Sequence, residues 1–312
     1  MIHLNPLRYK IVGLITFKTE SPIHIGAGGI EARRNFLRLP SGEFLIPSSS
    51  WKGAFRSISE KMAKAMKCGG IEEIAVNFYR ETQSGIRYRS EDKSFEEFVE
   101  DFAKRLKGEE GKWVKDDLGK LEKILEDLGY SQEEIKEVKE RGKKAKDGLA
   151  YEMAESYLAL YCPIGKLYGN GVLAGKLRFG DVIVKECRTH LRPGVGIDRK
   201  TITAKPGVLY FIQIIEDAEL RLPLILDNPT PGELDSILLA RTIDYIQELG
   251  LSIGGRKSTG LGRLKIKEDS GEFYLIRLRE DDKLAIGNPF KKAEKLTLSE
   301  FTRWLRGELV RA

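Results

Sequence analysis

A basic segment between glycines is the part of the sequence best suited to chemistry. The stretch SIGGRKSTGLGRLKI (252–266) places two cations and two hydroxyls among four glycines, which are Gly254, Gly255, Gly260 and Gly262. Glycine lets backbone N–H groups approach a phosphate closely, and Arg256 and Lys257 would add positive charge beside them. The pattern predicts an anion-binding loop, with Arg263 as a third cation. A turn that only needs a positive φ is the alternative.

A second candidate anion site is the start of a helix in PSSSWKGAFRS (47–57). Ser49 and Ser50 supply hydroxyls, and Lys52 and Arg56 lie one turn apart on the same face. The first N–H groups of a helix favour an anion, so these residues could hold a phosphate. The alternative is an ordinary capped helix whose cations are solvated. Two further candidate cations follow another glycine-rich segment, SPIHIGAGG (21–29), and are Arg33 and Arg34.

Few residues suit acid–base catalysis or metal binding. Of the three histidines, His24 lies in the first glycine-rich segment and is a candidate general acid or base, or else a packed loop residue. Cys187 and His190 have the local spacing of a zinc pair, with Cys68 and Cys162 as remote partners. One local pair is a weak zinc signal, so buried structural cysteines are favoured and no metal site is predicted.

The composition describes a globular, intracellular protein. Of 312 residues, 41% are hydrophobic, which argues against disorder. Three separated cysteines without a CxxC pair fit a reducing cytoplasm, and the amino terminus lacks the apolar run of a signal peptide or spanning helix. The net charge is +6, yet residues 77–150 carry 17 basic and 19 acidic residues. The basic excess therefore lies in the glycine-containing parts, and 70–150 is predicted to be a charged helical insertion.

Periodicity predicts the elements that would position these residues. Apolar patterning predicts strands over 9–20, 44–46, 176–185, 208–220, 262–267 and 273–279. In the first, alternation places Ile11, Gly13, Ile15 and Phe17 on one face. Residues 187–207 form a long polar excursion without a hydrophobic face. A helix over 230–250 is predicted to be capped by Thr230 and ended by Gly250, and capping boxes are predicted at 131–134 and 297–300.

Without the insertion, the order of elements is strand, helix, strands, helix, strand. This is the β-α-β-β-α-β order of a ferredoxin-like α+β fold, which also serves RNA-recognition modules. The aromatic signature of those modules is absent. A nucleotide-binding enzyme is disfavoured, because no Walker pattern follows a strand.

Five stretches in order resemble the RAMP superfamily, in particular the backbone subunits of type III CRISPR–Cas effector complexes. They are SPIHIGAGG, FLIPSSSWKGAFRS, CPIGKLYGNGVLAGKLRFGDV, GVGIDRKTITAKPGVLYFIQIIE and GGRKSTGLGRL. The resemblance implies an RRM-like RAMP core over 1–69 and 151–270, with a thumb hairpin at about 187–207. It also implies a variable helical lid over 70–150 and a carboxyl-terminal strand and helix over 271–312.

This resemblance implies binding of guide CRISPR RNA and complementary target RNA beside other RAMP subunits, with no membrane partner. Base pairing would then read the target while the protein holds backbone and shape. The thumb hairpin of the family inserts into the guide–target duplex and displaces a nucleotide, and Arg199 and Lys200 fall in it. Arg199 could contact RNA or hold the hairpin through Asp198.

Cleavage of target RNA in this family uses a loop aspartate with a divalent metal, shortly after the first glycine-rich segment. Here GAGGIEARRNFLR (26–38) has no aspartate, and Glu31 is the nearest carboxylate. RNA binding without cleavage is therefore favoured, with Mg²⁺ as the cofactor if cleavage occurs. The alternatives are a metal-independent endoribonuclease that processes CRISPR precursors through His24, and a single-copy RAMP subunit at the end of a complex.

Overall fold

A computed structural model of the chain describes residues 7–26, 33–66, 68–83, 93–268, 270–278 and 289–309. Within these ranges the chain forms two compact units, a helical one (59–176) and a sheet-containing one (7–58 with the residues after 176). The strands are β1 (Tyr9–Thr19), β2 (Arg33–Arg34), β3 (Phe44–Ile46), β4 (Leu177–Phe179), β5 (Val182–Val184), β6 (Arg188–Ile197), β7 (Ala204–Glu216), β8 (Glu219–Asp227), β9 (Leu251–Ser252), β10 (Arg263–Ile266), β11 (Glu272–Arg277) and β12 (Glu294–Thr297). The helices are α1 (Ser48–Ala65), α2 (Ile71–Gln83), α3 (Lys93–Leu106), α4 (Leu118–Asp127), α5 (Gln132–Arg141), α6 (Leu149–Ala159), α7 (Pro163–Tyr168), α8 (Leu234–Leu249) and α9 (Leu298–Leu305).

Strand β1 is the centre of the main sheet. Its buried face consists of Ile11, Gly13, Ile15 and Phe17, as the alternation predicted. Along one edge β1 pairs antiparallel with β8, and along the other it pairs antiparallel first with β11 and then with β10. A Cβ on Gly13 would lie 2.4 Å from the Phe273 ring, so glycine lets β11 pack closely there.

The topology of the sheet-containing unit is α+β and compatible with a ferredoxin-like core. The elements β1, α1, β4, β8, α8 and β10 follow the predicted β-α-β-β-α-β order. In the sheet, β4 pairs with β8, β8 with β1 and β1 with β10, each antiparallel. Extra strands β9, β11 and β12 extend this curled antiparallel sheet.

Two predicted strands are each divided in the structure. The single strand expected over 208–220 is wrong, because β7 ends at Glu216 and β8 begins at Glu219. Asp217 has a φ of +52°, a turn conformation that alternation alone does not reveal. The strand expected over 176–185 is also wrong. It breaks into β4 and β5 where the Gly180 N–H donates to the Pro223 carbonyl.

Three of the helix boundaries predicted from the sequence are confirmed, and one is wrong. Helix α8 ends at Leu249 with Gly250 as its cap, at a φ of +78°, and the capping boxes at Ser131 and Thr297 are both formed, as predicted. The cap at Thr230 is wrong. Residues 231–233 form a turn, in which the Glu233 N–H donates to the Thr230 carbonyl, so α8 begins at Leu234.

Helix α1 carries a stripe of apolar side chains at its amino-terminal end. Trp51, Phe55 and Ile58 are all buried. Trp51 packs against Phe17 with ring centroids 5.3 Å apart, and Phe55 packs against Phe179 at 4.9 Å. These contacts hold the first turns of α1 to the sheet.

The helical unit has an aromatic core of its own. Phe98 and Phe102 of α3 are fully buried beside Tyr157 of α6, with ring centroids 6.5 and 5.6 Å apart. The buried Asp101 carboxylate accepts N–H bonds from three consecutive residues, 112–114, and so fixes the loop after α3. The predicted helical character of this charged segment is confirmed.

The polar excursion folds as an antiparallel hairpin of β6 and β7. The two strands pair from Arg188 and Glu216 toward a turn at residues 198–203, and β2 lies parallel to β7. At the turn, the Asp198 carboxylate accepts the Lys200 N–H at 2.8 Å and the Thr201 N–H at 3.3 Å. Asp198 therefore holds the hairpin turn through backbone groups.

Candidate nucleic-acid interface

The glycine-rich loop between β9 and β10 uses its glycines for close backbone packing. Gly254 has a φ of +79°, and a Cβ there would lie 2.3 Å from the His24 carbonyl oxygen. Gly262 has a φ of +92°, and its Cβ would lie 2.1 Å from the Ile253 carbonyl oxygen. Both positions thus require glycine, for conformation and for space.

The two glycine-rich segments of the sequence meet in this loop. The Gly255 N–H donates to the His24 carbonyl at 3.0 Å, and the Gly262 N–H donates to the Pro22 carbonyl at 2.9 Å. These two amides, expected to be donors to a phosphate, are engaged by the protein backbone instead. The side chains of the loop are therefore better candidates for phosphate contact than these two amides are.

His24 connects the same loop to the hairpin. Its Nδ1 lies 2.8 Å from the Gln213 carbonyl and must donate to it, so the Nδ1–H tautomer is fixed. The Gln213 side chain in turn accepts the Phe36 N–H at 3.2 Å. Burial lowers the pKa of His24, and the nearby charges of Arg256 and Arg34 lower it further, against the raising effect of the Gln213 hydrogen bond. His24 is thus a packed, neutral imidazole near pH 7.

Arg256 reaches from the loop to the hairpin. Its Nη1 donates to the Tyr210 hydroxyl at 2.8 Å, and its guanidinium carbon lies 4.5 Å from the centre of the Tyr210 ring. The Arg34 guanidinium carbon is 5.7 Å from the same ring. Below them, Ile212, Ile214 and Leu261 form a buried apolar cluster. The loop, β2 and the middle of the hairpin therefore place two predicted cations around one aromatic ring.

The other two predicted cations of the loop, Arg263 and Lys257, differ in what they contact. Arg263 Nε donates to the Glu20 carboxylate at 2.6 Å, and its Nη2 donates to the Leu249 carbonyl at the end of α8 at 3.2 Å. Neighbouring Lys257 is exposed on a short 3₁₀ turn over Lys257–Thr259. Arg263 is thus already neutralised, whereas Lys257 faces solvent.

The start of α1 is partly occupied by a carboxylate of the protein. The Ser48 N–H donates to Asp181 Oδ1 at 2.7 Å, and the Ser50 N–H donates to the Pro47 carbonyl at 2.9 Å. Lys52 lies at the surface, and partial desolvation of its ammonium group, followed by the charge of Arg56, lowers its pKa. This cation pair belongs to the same compact unit as the glycine-rich loop.

A model of the RAMP superfamily matches residues 16–265. The chain belongs to the RAMP superfamily. This superfamily is associated with CRISPR–Cas RNA-binding complexes of several subunits. The match runs from β1 through β10 and includes both glycine-rich segments, α1, the hairpin and α8. In a search of curated proteins, none matched the chain significantly.

The hairpin of this RAMP protein has an apolar face that the sequence analysis missed. Leu191 and Val195 on β6 and Leu209 and Phe211 on β7 are 38–55% exposed, and the cross-strand pair Val195–Leu209 places two of them on one face. The excursion therefore has a hydrophobic face, contrary to expectation. Half of that face is contributed by residues after 207, so it becomes visible only when the two strands pair.

Tyr210 and Gln213 are further residues that the sequence analysis did not select. Both lie within an apolar run that predicts a strand, VLYFIQII (208–215), and nothing local distinguishes them. The signal that could have found Gln213 is an amide in an apolar run, because a buried polar group needs a partner. Tyr210 gave no such signal.

Some of the other predicted site residues lie within the described ranges, and some lie outside them. Arg199 and Lys200 are exposed at the hairpin turn. Arg33 begins β2. Glu31, the candidate catalytic carboxylate, and residues 27–29 of the first glycine-rich segment lie outside the described residues.

Among the described residues, Cys187 and His190 belong to no cluster of metal ligands. His190 Nδ1 lies 3.6 Å from Glu216 Oε1, and burial raises the pKa of Cys187, although the Arg38 charge opposes this. Among the residues that the structure describes, no group of three His, Cys, Asp or Glu side chains could hold a metal. Over the same residues, every helix is too short or too polar to cross a membrane.

Proposed function

We propose that this RAMP protein binds guide CRISPR RNA as a backbone subunit of a type III interference complex. The observation that carries the proposal is the meeting of the two glycine-rich segments at the base of the β6–β7 hairpin, with Arg34 and Arg256 beside Tyr210. Guanidinium groups suit phosphate oxygens, and such contacts give affinity without reading sequence.

The hairpin would serve as the thumb that organises the guide–target duplex. Its turn presents Arg199 and Lys200, and its strands expose Val195, Leu209 and Phe211. Apolar side chains suit contact with unstacked bases, and cations suit the adjoining phosphates. In this proposal the helices of the 70–150 segment form the lid, and the residues after 270 form a carboxyl-terminal strand and helix extension of the core.

The first experiment is to purify the protein from its host and sequence the RNA that accompanies it. Repeat-derived guide RNA of uniform length is expected. Its absence, with other RNA in its place or none, would overturn the guide-binding proposal. The mass of the purified complex then gives the number of copies, and one copy per complex would favour the end-capping alternative.

Cleavage of target RNA is tested separately from binding. Among the described residues, no cluster of three carboxylate, imidazole or thiolate groups is present to hold Mg²⁺. A cleaving member of this class would use the metal to stabilise the leaving oxygen at the scissile phosphate. Binding of complementary RNA without cleavage is expected. Regularly spaced cuts that need Mg²⁺ and vanish in Glu31→Ala, but not in Glu43→Ala, would establish catalysis.

Precursor processing without metal is the second candidate, and His24 is its proposed acid or base. His24 is only 6% exposed, and its Nδ1–H is already used by Gln213. These contacts favour a structural role. His24→Ala should leave any metal-free cleavage of precursor RNA unchanged, and loss of that cleavage in a folded variant would support processing.

A further inference from the structure

The geometry points to a subsite for one RNA phosphodiester between the hairpin and the glycine-rich loop, with Tyr210 as its positioning residue. In this subsite Tyr210 fixes the guanidinium of Arg256 and adds a hydrogen bond of its own to the phosphate. The inference rests on the proposed RNA-binding function and assigns it a local structure. It also makes the hairpin and the loop parts of one binding element.

A small open cavity lies at this junction. Its volume is about 210 Å³, and Arg192 and Gly194 of β6, Tyr210 of β7, and Arg256 and Thr259 of the loop contribute to its walls. Pockets for whole small ligands are usually about 300–1,000 Å³. This cavity is smaller and open to solvent, so it suits one unit of a polymer that continues beyond it.

The charge of the cavity favours an anion. Arg192 and Arg256 are its charged lining residues, and the other lining residues are neutral. Arginine presents several N–H donors in a planar arrangement that matches phosphate oxygens. Ile212 and Leu261 supply an apolar floor on which a ribose could rest. A phosphodiester with its sugar fits this combination better than a free carboxylate does.

Tyr210 is held in a fixed position. A Cβ on its cross-strand partner Gly194 would lie 2.3 Å from the Tyr210 ring, so the ring occupies space that only glycine leaves. The guanidinium of Arg256 lies 4.5 Å from the ring centre. With its ring packed at Gly194, Tyr210 limits the conformations of Arg256 before RNA arrives. Such preorganisation lowers the entropy lost on binding.

The hydroxyl of Tyr210 retains a donor for the ligand. It accepts one N–H from Arg256 at 2.8 Å, and a phenol that accepts a hydrogen bond can still donate its own proton. Among the described residues, Tyr210 is the hydrogen-bond partner of the Arg256 side chain, which leaves four of its five N–H donors for a ligand. A phosphate oxygen beside them would receive hydrogen bonds from both residues at once. Arg192 would approach the same phosphate from β6.

The decisive measurement is a double-mutant cycle on RNA affinity. Binding of a fluorescent single-stranded RNA to the full chain is measured by anisotropy for wild type, Tyr210→Phe, Arg256→Gln and the double variant. Tyr210→Phe keeps the ring at Gly194 and should weaken binding about threefold to tenfold, the loss expected for one hydrogen bond. In the Arg256→Gln background the same change should have little effect, because the two residues act together.

Two further variants keep the test specific. Tyr274→Phe removes a phenolic hydroxyl on β11, outside the cavity, and should bind RNA as wild type does. Arg192→Gln should weaken binding and reduce its salt dependence, whereas Tyr210→Phe should weaken binding at unchanged salt dependence. Thermal unfolding followed by circular dichroism verifies that each variant is folded.

The outcomes separate this inference from the proposed function. If wild type binds RNA and Tyr210→Phe binds equally well, or if the two substitutions are additive, the subsite is refuted and RNA binding stands. If wild type binds no RNA, the proposed function itself is refuted. A coupled loss with Tyr274→Phe unchanged supports the subsite.

Discussion

Replacing Arg256 and Lys257 by glutamine should weaken RNA binding and flatten its dependence on salt. Lys257 is exposed, and among the described residues the Arg256 side chain donates to the Tyr210 hydroxyl rather than to a carboxylate. Both cations can therefore neutralise phosphates and release counterions. Arg263 differs, because Glu20 already lies 2.6 Å from its Nε.

The expected magnitude follows from the number of phosphates lost. Each phosphate neutralised on a single strand contributes about 0.7 to the slope of log affinity against log salt, so the double variant should lose about 1.4. Between about 50 and 200 mM salt, wild type should then lose roughly sevenfold more affinity than the variant does. A hydrogen bond from a charged group contributes about 1.5 kcal/mol or more, so Arg256→Gln alone should weaken binding roughly tenfold.

The assay is an anisotropy titration of single-stranded RNA at four or more salt concentrations. Arg263→Gln is the matched control, since it removes the same charge from the next strand. Its slope should stay near that of wild type, because the ion pair with Glu20 leaves little charge to neutralise a phosphate. The measurement uses several unrelated RNA sequences, and the losses should be similar for all of them.

Two results would refute the reasoning. Equal slopes for wild type and the Arg256→Gln, Lys257→Gln variant would mean that the glycine-rich loop is only a turn. A slope reduced as much by Arg263→Gln would mean that its ion pair opens for RNA, and the distinction drawn between these cations would be wrong.

Three further predictions concern folding. Gly254→Ala should lower the free energy of unfolding by roughly 1–3 kcal/mol, because its φ is +79° and a Cβ would meet the His24 carbonyl. Gly255→Ala is the control and should change the stability less, because a Cβ there meets open space. Equal urea midpoints for the two variants would contradict this. Folding lowers the pKa of His24, so below about pH 6.5 the unfolded chain binds more protons than the folded chain does. The free energy of unfolding should therefore rise with pH up to that range, and urea titrations should show a shallower rise for His24→Gln. The same pH dependence in wild type and variant would count against this prediction. Asp101→Ala should lower the free energy of unfolding of the helical unit by about 1–3 kcal/mol, because three N–H groups lose their acceptor. Glu97 is exposed, so Glu97→Ala should leave the free energy of unfolding nearly unchanged in the same urea titration.

The sequence determined the features that depend on neighbours along the chain. Alternation gave the buried face of β1, and capping boxes at Ser131 and Thr297 gave two helix starts. Gly250 gave the end of α8. Each of these signals is a local backbone or side-chain preference, so it is visible within a few residues.

Boundaries failed where local signals competed. Thr230, with proline at 231, has the features of a helix start, yet a turn delays α8 to Leu234. The apolar run from Val208 continues past a turn at Asp217, and hydrophobicity alone cannot locate that turn. In both cases tertiary packing selected between conformations that the local sequence allows.

Only the tertiary structure decided which residues form the candidate interface. His24, Tyr210 and Arg256 are far apart in sequence and meet through the pairing of the hairpin and the packing of the two glycine-rich segments. The sequence supplied the loop cations and the need for glycine. It could not show that Glu20 pairs with Arg263 or that Tyr210 holds Arg256. Both contacts depend on the pairing of strands that are far apart along the chain, and local residue type and spacing do not reveal that pairing.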